Sequence, residues 1–160
     1  MTMTHKPQLD STDRALLKAL SVNARASGSQ LAGELGIAES TVSLRLKRLQ
    51  RSGDITGYYA DIDLAVLGAP IQAVIAIQLT QHDRSDIEAF RREVTMWPGV
   101  LSLFHLGGRD DYLLHVAARS TTELRDFVVK YVTGHTVVAH SETNIVFEHV
   151  KGSGWQELLD

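Results

Sequence analysis

Residues 31–51 read LAGELGIAESTVSLRLKRLQR, and the fold of the first third of the chain turns on how this stretch is divided. Leu31, Ala32 and Leu35 share one helical face, and Gly36 stands where a helix is closed by a residue in the left-handed region. A further helix is predicted over Glu39 to Arg51, stopped by Ser52-Gly53. Two helices crossing steeply through a tight turn need a small residue at the contact, a glycine to turn the chain and an apolar anchor on the second helix. Ala32, Gly36 and Val42 meet those needs at the spacing of a helix-turn-helix. Val42, Leu46 and Leu49 recur at i, i+4 and i+7 and must face a core. That leaves Ser40, Thr41, Ser43, Arg45, Lys47, Arg48 and Arg51 outward.

Hydroxyls at the start of such a helix and cations further along suit a DNA groove. The first residues of a recognition helix approach base edges, while Arg and Lys neutralise phosphates or bond guanine. Ser40, Thr41, Ser43 and Arg45 are therefore the candidates for groove contact, with Lys47, Arg48 and Arg51 mainly for the backbone. Leu44 fits neither role cleanly. The charge balance agrees: residues 1–60 carry eight Lys and Arg against five Asp and Glu, whereas the rest carries eight against fourteen. A basic head suits a polyanion and an acidic remainder keeps clear of it.

Upstream, Leu9, Asp10 and Asp13 followed by Leu16, Leu17 and Leu20 predict a first helix with Asp10 as its N-cap. Ala26-Ser27-Gly28 breaks the chain before a second helix over Ser29 to Leu35. Downstream, residues 55–63 (ITGYYADID) alternate aromatic and β-branched side chains, the pattern of a strand at the edge of a small wing. Gly68 and Pro70 then punctuate the chain, giving a winged helix-turn-helix DNA-binding domain over 1–63 with a wing and linker strand.

From Ile71 to Leu79 apolar residues alternate as in a strand, and Asp83 to Val94 follows with helical spacing and Ser85 as a candidate cap, halted by Trp97-Pro98-Gly99. Val100 to Leu106 and Tyr112 to Ala118 form a hairpin around Gly107-Gly108-Arg109-Asp110-Asp111. Ser120 or Thr121 caps a second helix carrying Leu124, Phe127, Val128 and Tyr131, and Val137 to Val150 closes as a long strand. The order βαββαβ is the ferredoxin-like split arrangement, so the fold class is α+β, with this domain over 64–151 and a C-terminal tail over 152–160. Both helices lie on one sheet face. The other offers Leu101, Leu103, Val138 and Val146, which predicts a homodimer through the sheet and paired helices reading two DNA half-sites. The tail, with Trp155, either docks on a neighbouring subunit or stays free.

With 160 residues and 44% apolar content the chain suits one or two globular domains. The absence of Cys excludes disulfides, thiolate ligands and a Cys nucleophile. The longest apolar run, around Ala73 to Ile77, is too short to cross a bilayer, and the first residues lack the apolar core of a secretion signal, so a cytoplasmic protein without a membrane partner is expected.

Taken in order, Leu9-Asp10-x-x-Asp13, Leu31-Ala32 to Gly36-Ile37, Thr41-Val42-x-x-Arg45-x-x-Arg48-Leu49, Gly53-x-Ile55-x-Gly57-Tyr58 and Gly108-x-x-Asp111-Tyr112 strongly resemble the Lrp/AsnC family of prokaryotic regulators, over nearly everything from Leu9 to Lys151. The resemblance implies a DNA-binding transcription regulator that binds double-stranded DNA, responds to an amino acid or related small metabolite, and assembles from dimers into tetramers or octamers. It implies no enzymatic activity, cofactor or metal. It also places the last motif close to where an amino acid binds between protomers.

That motif has a physical reading of its own. Gly107 and Gly108 expose backbone N–H groups able to take a carboxylate, Asp111 is able to take an ammonium, and Tyr112 packs the turn. The same residues also suit a plain hairpin turn. The resemblance adds the region around Ala139, His140, Ser141 and Thr143, from which His140 and Ser141 are candidate effector contacts. Three features depart from the family pattern. Ala38 stands where a capping Ser is common, leaving Glu39 or Ser40 to cap; Thr136-Val137 replaces a common Pro-Gly; and Trp97 and His135 alter the pocket.

Two rivals belong to other classes. His105 and His115 have the same parity about the hairpin, and on one sheet face near Asp110 or Asp111 they would suggest metal or acid–base work. No third ligand stands at a spacing that demands it. Haem-biosynthetic decarboxylases have a similar two-domain fold, so the alternative is a ligand-binding or tetrapyrrole-processing protein without DNA binding, against which the basic face of the third helix argues.

Overall fold

The computed structural model describes residues 8–80 and 84–159. The chain forms two compact units. One contains the described residues up to Asp61 together with those from Lys151 onward; the other is Ile62–Val150.

In the first unit, α1 (Ser11–Val22) begins at a reciprocal cap: Asp13 N donates to Asp10 Oδ1 at 2.8 Å and Asp10 N donates to Asp13 Oδ2 at 3.1 Å. Helix α2 (Gly28–Leu35) starts one residue earlier than its apolar pattern predicts. Ser27 is the cap, its hydroxyl accepting from Gln30 N while Gln30 Oε1 accepts from Ser27 N. Gly36 ends it at φ 65°, where a side chain would be strained. Helix α3 (Glu39–Arg51) has the predicted bounds, but neither Glu39 nor Ser40 caps it. Ala38 is the cap residue and supplies no side-chain bond. Leu16, Leu31 and Val42 are fully buried together, with Ala32, Leu35 and Leu46 packed around them, so the residues read as turn contact and anchor meet there while Gly36 turns the chain between their helices.

The expected wing does not form. Residues 55–63 contain no strand. The N–H groups of Asp54 and Ile55 both turn back to Leu49 O, and the segment beyond them is exposed. An extended chain becomes a strand only by pairing, and among the described residues this unit contains no second strand for it to pair with.

The C-terminal residues belong to this unit as well. A 3₁₀ helix over Gly154–Leu159 lies beside α1, where Gln156 Nε2 donates to Ser21 Oγ at 3.0 Å and Lys151 pairs with Asp61 at 2.7 Å. Trp155 and Leu159 line a cleft with Leu17, Leu20, Ile55 and Tyr58.

The second unit follows the βαββαβ order: β1 (Ile71–Leu79), α4 (Arg84–Val94), β2 (Val100–His105), β3 (Tyr112–Ala118), α5 (Thr121–Phe127), which widens into a π-helical turn (Val128–Thr133), and β4 (Val138–Val146). The sheet is antiparallel in the order β2-β3-β1-β4. Strand β4 stops at Val146, before the expected Val150. Ser85 lies inside α4 instead of capping it, and Asp83 falls outside the described residues. Ser120 caps α5 by accepting from Glu123 N.

Register determines which face each side chain meets. Ala73, Ile75 and Ile77 stand beside Val116, Leu114 and Tyr112, and these six form the buried core under the helices with Phe90, Val94, Trp97 and Phe127. Leu103 and Val138 pack against that core, so two of the four residues expected on the open face lie on the covered one. Leu101 sits at the register shift between Val100 and Ser102, leaving Val146 on the open side beside Gln72. The open face has a mixed character: Phe104, Leu113, Val74 and Ala76 on one side, His140, Glu142 and Asn144 on the other.

The same register separates the two histidines. His105 pairs with Tyr112 on the covered face, its ring stacked on the tyrosine at 4.8 Å, whereas His115 pairs with Ser102 and Val74 on the open face. There it hydrogen-bonds Gln72 Oε1 at 2.9 Å and stands 5.8 Å from the His149 ring. Burial, and then His149, holds its pKa below the ordinary histidine value. Paired numbers across this hairpin have an odd sum from His115 to the turn, so residues of equal parity point to opposite faces and the shared-site reading of His105 and His115 fails.

Candidate nucleic-acid interface and effector site

The outward side of α3 divides into two groups. Ser40, Ser43, Lys47 and Arg51 are exposed and recur at the spacing of one helical stripe, with Leu44 among them at 66% exposure. Thr41, Arg45 and Arg48 are only partly exposed and lie to one side. Arg45 Nη1 reaches Asp10 Oδ2 at 2.6 Å and Asp13 Oδ1 at 2.8 Å, and Arg48 pairs with Asp13 Oδ2. Two of the seven candidate DNA contacts thus clamp the recognition helix to the start of α1. Leu44 is the residue that sequence reasoning set aside; its positions four after Ser40 and three before Lys47 are the signal that places it on the stripe.

Asp13 is the centre of the clamp and has no solvent exposure. Burial pushes its carboxyl up, but the hydrogen bonds from Arg48, Arg45 and Asp10 N outweigh burial and bring it down to about 2. Asp13 is therefore an anion at any physiological pH, and α3 is fixed at a set angle to α1. Stiff support of this kind lets a short stripe of side chains keep register with a groove.

At the hairpin, Gly107 and Gly108 are exposed, neither has a positive φ, and a Cβ built on either meets nothing within 4 Å. No requirement of this chain explains why both are glycine. Asp111 is partly spoken for: its Oδ2 accepts from Leu79 N at 2.7 Å, its N–H donates to Ile77 O, and its carbonyl accepts from Leu106 N. Beside it Gln78 donates to Asp110 Oδ1 at 3.0 Å. Tyr112 is buried, packing between His105 and Phe90, and burial raises its phenol pKa. His140 and Ser141 stand across β1 from the turn, paired with Gln78 and Ile77, the residues that Asp110 and Asp111 hold from the other side. Two strand spacings separate them, about 10 Å. The turn and these two β4 residues therefore flank one end of β1, with His140 and Ser141 pointing to opposite faces. Among the described residues no group of three His, Asp or Glu is placed to hold a metal. No helix among them is long and apolar enough to cross a membrane.

The AsnC-type helix-turn-helix domain model matches residues 9–50, and the Lrp/AsnC ligand binding domain model matches residues 72–156. The chain belongs to the Lrp/AsnC family. Like its relatives it is a DNA-binding transcription regulator. It is 43% identical to the HTH-type transcriptional regulator AldR of Mycolicibacterium smegmatis, over 91% of this chain and 85% of that protein. It is 27% identical to the leucine-responsive regulatory protein of Rhizobium meliloti, over 98% and 100%. Among solved structures, MtbAldR is 38% identical with a TM-score of 0.74, covering 91% of this chain and 99% of that one. A transcriptional regulator of Neisseria meningitidis, solved as an L-Met complex, is 28% identical with a TM-score of 0.84, covering 91% and 94%. The Lrp/AsnC assignment gives the two units their roles: the helix-turn-helix acts on DNA, and the ferredoxin-like unit corresponds to the ligand-binding domain.

Proposed function

We propose that this regulator binds double-stranded DNA through the exposed stripe of α3 and changes its assembly or DNA affinity when an amino acid or related metabolite binds beside the 107–112 turn. The stripe supports the first part: Ser40 and Ser43, with Thr41 beside them, suit base edges, Leu44 a thymine methyl, and Lys47 and Arg51 phosphates. Arg45 and Arg48 keep the helix in position and add positive charge beside the groove. Homodimers form through the open sheet face and build tetramers or octamers, pairing the heads for two half-sites. The L-Met complex of the Neisseria relative supports an amino-acid effector. So do the two glycines that nothing in the chain requires. The effector's carboxylate then takes N–H groups of Gly107 and Gly108, its ammonium takes the free lone pairs of Asp111, and Tyr112, His140 and Ser141 shape the surroundings. Action in the cytoplasm follows from the DNA partner.

Binding to the protein's own promoter region, measured across a salt series, tests the first part. Lys47→Ala and Arg51→Ala should each flatten the slope of log K against log salt by about 1. An unchanged slope in both variants would remove the stripe from the interface. For the effector, Gly108→Val adds bulk only into open space. It should leave the melting temperature unchanged and weaken amino-acid binding at least about tenfold, read by thermal shift and calorimetry. Full affinity in that variant would move the effector elsewhere.

A further inference from the structure

At the end of β3 opposite the glycine turn lies a cavity of about 420 Å³, inside the second unit and independent of the site proposed above. Its size falls within the range of small-molecule sites. Gly99 forms part of its edge in a left-handed conformation, φ 82°, where an added Cβ would come within 2.5 Å of Ala117 O. Only glycine lets the backbone pass so close to β3 there, and Ala117 N donates to Gly99 O at 2.8 Å to hold it. One wall is aromatic. Phe127 and Tyr131 have ring centroids 5.2 Å apart, and Trp97 stands behind them at 6.1 and 5.5 Å. Tyr131 and Lys130 are carried by the π-helical turn Val128–Thr133, a rare widened turn that recurs at functional sites.

Charge at the mouth narrows the chemistry. Two acids border the cavity: Asp126 is paired with Arg125, whereas Glu123 Oε2 accepts only from the main-chain Arg119 N at 2.6 Å and keeps its charge. Arg119 and Lys130 also border it, and among the described residues neither guanidinium nor ammonium has a carboxylate partner; Lys130 Nζ rests over the Tyr131 ring, 4.8 Å from its centroid. The cavity thus offers an aromatic wall and, with Asp126 matched by Arg125, two cations against the single carboxylate of Glu123, an excess of one positive charge. A monocarboxylate with an apolar body complements that excess, whereas a zwitterion carries no net charge to offset it and brings its ammonium close to Arg119 and Lys130.

We propose that this cavity binds a small apolar monocarboxylate lacking an ammonium group, the class to which aryl and branched-chain 2-oxo acids belong. Each protomer then carries a site that separates a deaminated acid from its parent amino acid, at the opposite end of the sheet from the turn. A regulator with both sites senses the two sides of an amino-group transfer or oxidation.

The probe is 3-phenylpropanoate, titrated into full-length Trp155→Phe protein so that Trp97 is the remaining tryptophan. Saturating change of Trp97 fluorescence and a matching calorimetric isotherm are expected. Arg119→Gln and Lys130→Ala, both exposed positions, should each weaken binding about tenfold, as loss of one charge-assisted bond does. Phenylalanine and neutral 3-phenylpropanamide should each bind at least about tenfold more weakly than the acid by the same reasoning. The proposal is overturned if 3-phenylpropanoate fails to saturate at millimolar concentration, if phenylalanine or the amide equals it, or if both variants retain full affinity.

Discussion

At position 13 a carboxylate with no solvent exposure accepts from two arginines that lie 32 and 35 residues away. Its pKa of about 2, against 3.8 for the unconstrained group, is a statement about stability. A depressed carboxyl contributes stability that is fully present above pH 3.8 and disappears as pH falls towards 2. The difference corresponds to about 2 kcal/mol at neutral pH. Acid unfolding of the first unit, followed by circular dichroism, should therefore steepen between about pH 4 and pH 2. Asp13→Asn should melt lower by about that amount at pH 7 and lose this step. If the variant melts like the parent at pH 7, the clamp does not hold α3. In the sequence Asp13 reads as a first-turn acid favoured by the helix dipole, and Arg45 reads as a groove contact. Nothing local joins them, because the pairing depends on how α1 crosses α3.

Helices were more legible than strand faces. The bounds of α3 follow from Val42, Leu46 and Leu49 and from the Ser52-Gly53 stop, all of which lie within the element. The failures needed information from outside it: residues 55–63 alternate like a strand but have none to pair with among the described residues of their unit, and the separation of His105 from His115 and the faces of Leu103 and Val138 depend on register and a bulge, which lie between strands. Gly107 and Gly108 read in the sequence as either an anion site or a plain hairpin turn, and the open space around them is a property of the folded hairpin that the residues alone do not carry. Helix α3 also carries a weakness that both sequence and structure display. Ala38 stands at its cap with φ −68° and ψ 142°, backbone already suitable for a capping side chain, and gives no bond. Ala38→Ser should stabilise the first unit by about 1 kcal/mol. Thermal melts of the two proteins side by side check it; no gain would mean that the first-turn N–H groups already have adequate partners in water.

Across the whole molecule the chain leaves the first unit at Asp61 and returns to it at Lys151, so the DNA-binding head is connected to the second unit twice. Its C-terminal helix follows closely on β4, the strand that carries His140 and Ser141. The second connection runs from a strand of the proposed effector site. Removal of residues 152–160 uncovers Leu17, Leu20 and Ile55, which Trp155 and Leu159 now flank. Partial burial of a few apolar side chains is worth about 1–3 kcal/mol, which for a unit of this size lowers Tm by roughly 5–15 °C. Calorimetry should show that loss in the transition of the first unit, with the second unchanged. The truncated regulator should still bind DNA, because the α3 stripe and the Asp13 clamp remain. Its DNA affinity should respond less to the amino acid, because one of the two paths from β4 to the head has been cut. A truncated protein with the parent Tm would show that the tail does not support the head, and one with the parent's full amino-acid response would show that the first connection alone carries the coupling.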